Sequence, residues 1–186
     1  MTGIALAAFV LGACSSGVMQ DNPEPIGDFR LGHTIISEEN AEKAPISRES
    51  EPGLLKDSLN AAVAERLGRY RGRSWYHLSI SIDAYSLSGG GIPVIASPRS
   101  ALVLRVTVWD DATAARLNAE PHVLTVLEPT SPETVFGSGL VRTPEEQAQA
   151  LTYYAAELIE AWLKSPESPL PSLDDEPADD IAEAPA

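Results

Sequence analysis

Cysteine is almost absent from this 186-residue chain: Cys14 is the only one. A single thiol excludes an intrachain disulfide framework and any metal site built on paired cysteines. Histidine occupies three positions, His33, His77 and His122. They fall on separate predicted strands without metal-ligand spacing, so neither a metal nor another cofactor is expected. Basic residues are also scarce: 13 Lys and Arg against 27 Asp and Glu give a net charge of −14. Nucleic-acid binding needs a basic face, so no nucleic-acid partner is expected. Long apolar runs are missing. The N-terminal run, residues 3–13, has eleven residues, whereas a bilayer-spanning helix needs ~20. Catalytic signatures are missing too. Gly137-Ser138-Gly139 lacks the spacing of a nucleophile elbow, and no Lys-Ser/Thr pair follows Gly89-Gly90-Gly91 as a phosphate loop requires. Asp110-Asp111 sits at a strand end, and Glu145-Glu146 sits in a helix first turn, where the helix dipole accounts for it. On these grounds no catalytic residue is assigned and no enzyme activity is expected.

What is present is organised by charge. Residues 18–52 hold eight acidic and three basic residues, and residues 53–164 hold twelve and ten. Residues 165–186 hold seven acidic residues, no basic ones, and prolines at 166, 169, 171, 177 and 185. Such a tail has too little apolar area to offset its ordering entropy and is expected to be disordered. The expected organisation is a signal segment at 1–13, a linker at 14–27, one domain at 28–164 and an acidic tail at 165–186. A domain of that length buries a real core.

Periodicity supplies the elements. Phe29, Leu31 and Ile35 alternate within 28–37, with Gly32 as a weak point, which predicts a strand. Leu55, Leu59, Val63, Arg66 and Leu67 recur at helical spacing within 53–67, and Gly68 is the expected C′ residue. Tyr76, Leu78, Ile80, Ile82 and Ala84 alternate with polar neighbours and Tyr85 as a half-buried strand. A second long strand, 101–110, puts Leu102, Leu104, Val106 and Val108 on one face, with Val103, Arg105, Thr107 and Trp109 on the other. A shorter strand covers 122–127, and the polar stretch 110–118 reads as a loop or a helical turn. Thr143, Pro144 and Glu146 form a capping box, and Leu151, Ala155, Leu158, Ile159 and Trp162 make the apolar stripe of a helix over 144–163. Three consecutive strands predict a meander. The expected fold class is α+β: a two-layer sandwich with an antiparallel sheet of three to four strands covered by two helices.

The run Leu11-Gly12-Ala13-Cys14 directly follows the apolar stretch, and Ser15, Ser16 and Gly17 then turn the chain polar. This resembles the lipobox of bacterial lipoprotein signal peptides. The resemblance implies cleavage before Cys14, which becomes a lipidated mature N-terminus. It also implies a membrane partner through that lipid. The modification carries three acyl chains, where one chain alone binds only marginally. In the families it resembles, Asp after the cysteine favours inner-membrane retention, so Ser15 implies the outer membrane, facing the periplasm. The segment Met1-Thr2-Gly3 departs from the pattern, since such signals usually start with Lys or Arg. Lipobox, polar linker, helix, meander and C-terminal helix together resemble small periplasmic lipoproteins of Gram-negative bacteria. These include uncharacterised alphaproteobacterial families, with which the stretch from Phe136 to Gln147 is shared in character, and more distantly the auxiliary lipoproteins of lipid-transport ABC systems.

Two surface features carry site expectations. The connection 88–99 is longer than ordinary hairpin loops. Its apolar residues Ile92, Pro93, Val94 and Ile95 either fold back on the sheet, touch lipid, or dock on an envelope protein. Arg66, Arg69, Arg71 and Arg73 cluster near the end of the first helix, where they either complement the helix C-terminus or contact an anion such as a phosphate or lipid headgroup. Three function classes follow: a structural or accessory envelope lipoprotein that binds a protein partner, an auxiliary subunit of an envelope lipid or solute transport system, and a hydrolase, for which no constellation is present.

Overall fold

The computed structural model describes residues 23–89, 99–129 and 142–171. The lipobox with Cys14, the Ile92–Ile95 segment and the end of the acidic tail lie outside the described residues. The elements run β1 (Phe29–Ser37), β2 (Glu42–Lys43), α1 (Leu54–Leu67), β3 (Ser74–Ser86), β4 (Ala101–Asp110), β5 (Ala115–Arg116), β6 (His122–Leu127) and α2 (Pro144–Leu163).

The expected meander is present, since β3 pairs antiparallel with β4, and β4 antiparallel with β6. The expectation of an all-antiparallel sheet of three to four strands is corrected. The sheet is mixed and has six strands among the described residues. β1 runs parallel to β3, pairing Phe29 with Ser74 and Ile36 with Ile80. The reason is the connection: α1 carries the chain back across the sheet between these strands, and a crossover returns the next strand in the same direction. The extra strands are short extensions along existing edges. β2 pairs with Ala84–Tyr85 of β3, and β5 pairs with Trp109–Asp110 of β4. Between β5 and β6 the Asn118 side chain takes the place of a strand. Its Oδ1 accepts from the Val108 amide at 2.8 Å and its Nδ2 donates to the Val106 carbonyl at 3.0 Å. The stretch expected as a loop or helical turn is therefore a hairpin.

Both helices lie on one face, α1 over β1 and α2 over β6 and β4, and they pack on each other. The core between the layers holds Leu55, Leu59, Val63 and Leu67 of α1, and Leu151, Ala155 and Ile159 of α2. It also holds Tyr76, Leu78, Ile80 and Ile82 of β3 and Leu102, Leu104, Val106 and Val108 of β4, all predicted to point inward. Each fully buried large aliphatic side chain contributes about 1.5–3 kcal/mol. Ile26 and Leu170 also pack here. The capping box of α2 forms as predicted: the Glu146 amide donates to Thr143 Oγ1, and Glu146 Oε2 accepts from the Thr143 amide.

Three local expectations are corrected. Leu31 and Thr34 of β1 pair with Tyr76 and Leu78, so Gly32 and His33 together face the single residue His77. This bulge shifts the alternation by one, which buries Ile36 and leaves Ile35 67% exposed. A second bulge at Asp83 does the same to β3, turning Tyr85 rather than Ala84 towards the core. Gly68 closes α1 with right-handed φ −67°, not as a left-handed C′ residue. Glycine is needed there because a Cβ would lie 2.3 Å from the Ala64 carbonyl oxygen.

Candidate functional site

A sheet covered on one face leaves the other to be accounted for. The outward residues of β1, β3, β4 and β6 include Ile35, Trp75, Trp109, Val123 and Leu127, all exposed. Polar residues, among them Ser79, Ser81, Asp83 and Arg105, lie between them. A shallow depression of about 640 Å³ opens on this face, lined by His33, Ile35, His77, Ser79, Trp109 and Asp111 among others.

The histidines separated in sequence are partly brought together here. The β1 bulge turns the rings of His33 and His77 to stack with centroids 5.2 Å apart. His77 Nδ1 accepts from the His33 amide at 2.8 Å, and its Nε2 lies 2.8 Å from Asp111 Oδ1. The first bond requires Nδ1 unprotonated in the neutral ring, which leaves Nε2–H to donate to Asp111. Both nitrogens of His77 are thus committed to protein groups. In this arrangement the ring orders the bulge and offers no free nitrogen as a base. His122 is elsewhere, stacked on Trp162 of α2 at 4.2 Å. Among the described residues no group of three His, Cys, Asp or Glu side chains is placed to hold a metal ion.

The four clustered arginines divide. Arg66 and Arg69 turn inward to Glu160 of α2, whose side chain is only 7% exposed. Arg66 Nη1 donates to Glu160 Oε2 at 2.8 Å, Arg69 Nη2 donates to Oε1 at 2.7 Å, and Lys164 Nζ donates to Oε1 at 3.2 Å. The Tyr70 hydroxyl makes a further hydrogen bond to Oε1. Burial pushes the Glu160 carboxyl up, but hydrogen bonds from Tyr70 and Arg66 and the nearby Lys164 outweigh it and hold the pKa at about 2. The Tyr70 hydroxyl is pushed up, by burial first and then by this carboxylate. These groups tie α1 to α2. Arg71 and Arg73 instead point outward at the turn before β3. Arg71 Nη1 donates to the Gly68 carbonyl. Arg73 donates to Asp28 through its amide at 2.6 Å and through Nε at 3.0 Å, which holds that carboxyl below its ordinary range. The four arginines therefore do not converge on one anion site.

A second polar cluster escaped the sequence reading. Gln147, buried at the start of α2, donates to the Ser88 carbonyl at 3.1 Å and accepts from Arg48 Nη1 at 3.2 Å. Glu128, also buried, accepts from the Ser100 amide and from Arg142, each at 3.3 Å. It ties the ends of β3, β4 and β6 to α2. Ser100 and Gln147 gave no periodic signal of burial, because polar residues are buried only when tertiary partners satisfy them.

No family model matches the sequence, and no curated protein does. In structure the chain is similar to a protein of family DUF330 from Xanthomonas campestris, at 17% identity and a TM-score of 0.39, covering 78% of this chain and 92% of that one. It is similar to a structure from Caulobacter crescentus described as a lipoprotein candidate, at 18% identity and a TM-score of 0.32, covering 67% and 88%. It is also similar to a homologue of a neuraminyllactose-binding hemagglutinin from Helicobacter pylori, at 10% identity and a TM-score of 0.42, covering 80% and 90%. Likeness at this level assigns no role to any residue.

Proposed function

We propose that this chain is a lipid-anchored lipoprotein of the bacterial envelope. Its α+β domain serves an accessory binding role and performs no catalysis. The observation that carries the domain's role is the sheet face that neither helix covers among the described residues, where Trp75, Trp109, Ile35, Val123 and Leu127 are exposed. Exposed apolar side chains of this size, gathered on one face, mark contact surfaces rather than catalytic clefts. His77 on that face supports the same reading, since both of its ring nitrogens are occupied. The anchor rests on the Leu11-Gly12-Ala13-Cys14 resemblance, and Ser15 favours the outer membrane facing the periplasm. The test is fractionation of cells expressing the full chain or its Cys14→Ser variant. The wild-type chain is expected in the membrane pellet, resistant to salt washing, and the variant is expected to lose that retention. Equal distribution of both would remove the anchor.

A further inference from the structure

The two ends of the sheet are not equivalent with respect to the anchor. From Cys14 to Pro23 the chain advances nine residues. Such a tether reaches about 30 Å fully extended and about 15–18 Å as a flexible coil. A domain of this size has a radius of gyration near 14 Å, or roughly 36 Å across. A tether shorter than the body holds its own end of the domain against the bilayer and the far end away from it.

The structure identifies the near end. Pro23 lines one hollow with Asp28, Phe29, Arg69, Arg71 and Gly72. The Gly72 amide donates to the Phe29 carbonyl, and the Ser74 amide to the Asp28 carbonyl, both at 3.0 Å. The entry of the chain, the start of β1 and the start of β3 are therefore one corner. On the open face of that corner stand Trp75, 45% exposed, and Trp109, 39% exposed. The Arg30 guanidinium lies 4.9 Å over the Trp75 ring. Three carboxylates nearby are engaged: Asp28 by Arg73, Asp111 by His77, and Asp110 by the Thr113 hydroxyl.

We propose that this corner, Trp75 and Trp109 with Arg30 above and Arg71 and Arg73 at the rim, rests in the headgroup region of the bilayer that holds the anchor. The inference depends on the lipid anchor proposed above. Indole rings favour the membrane–water boundary because they pair an apolar body with one polar N–H. Arginines lay their stems on apolar surface and extend their heads to phosphates. A tether of this length supplies the high local concentration that a small contact needs.

The test uses the full-length protein extracted from membranes and reconstituted in phosphatidylethanolamine–phosphatidylglycerol vesicles. The vesicles carry either ordinary or brominated acyl chains, bromine being a short-range quencher of indole fluorescence. Two of the three tryptophans are at this corner, so brominated vesicles should remove most of their emission. The double variant Trp75→Phe, Trp109→Phe retains only Trp162, which is buried under His122, and should show no quenching while melting as the wild type does. Acylated, vesicle-bound wild-type protein with equal emission in both vesicles would overturn this inference alone. It would mean that the corner faces water or a protein. A Cys14 without acyl mass would overturn the anchor and this inference together.

Discussion

Glu160 is ionised inside the fold because Arg66, Arg69, Tyr70 and Lys164 all donate to it. Its pKa is lowered on folding, from the usual 4.5 to about 2. The carboxylate therefore contributes its full stabilisation above pH 4.5, and that contribution drains away as pH falls towards 2. In denaturant titrations across this window, Glu160→Gln should show a flatter loss of stability than the wild type. At neutral pH the variant should be less stable, by about 3–5 kcal/mol if the buried guanidinium is left uncompensated. Gly32 is a second residue-scale device. A Cβ there would lie 2.4 Å from His77 Nδ1, a ring held at both nitrogens. Gly32→Ala should cost about 1–3 kcal/mol by overpacking, and most of that cost should vanish in a His77→Ala background. Additive costs in the double variant would show that His77 is not the obstacle.

Among the elements, α2 and β4 are the best specified. Thr143→Ala removes the acceptor for the Glu146 amide and should cost about 1 kcal/mol by thermal or denaturant unfolding. Leu104, fully buried at the centre of β4, should cost about 2–5 kcal/mol when replaced by alanine. Both elements were legible in sequence because capping chemistry and strict alternation are local signals. The direction of β1 was not, because strand pairing is a tertiary choice set by where α1 returns the chain. The two bulges escaped because one extra residue reverses every later side chain while leaving composition unchanged. Gly32 marked the first of them only as a weak point. The arginine cluster was legible as a cluster, but its division was not. Glu160 lies 91 residues from Arg69, and nothing local announces that pairing. The open face was half legible: the alternation put Trp109 opposite the core residues of β4, but the strand reading began at Tyr76 and omitted Trp75.

At the scale of the molecule the domain has a covered face and an open one, and an end that receives the chain from Cys14. The proposed anchor at that end would hold the opposite end of the sheet, where Ser86 and Leu127 lie, away from the membrane. The accessory binding proposed for such a body needs no catalytic centre. The anchor is tested by the intact mass of the protein from the membrane fraction, beside a Cys14→Ser control. The expected result is a mature chain that begins at Cys14 and carries added acyl mass, with both features lost in the control. An unmodified full-length mass, the same in wild type and control, would contradict it.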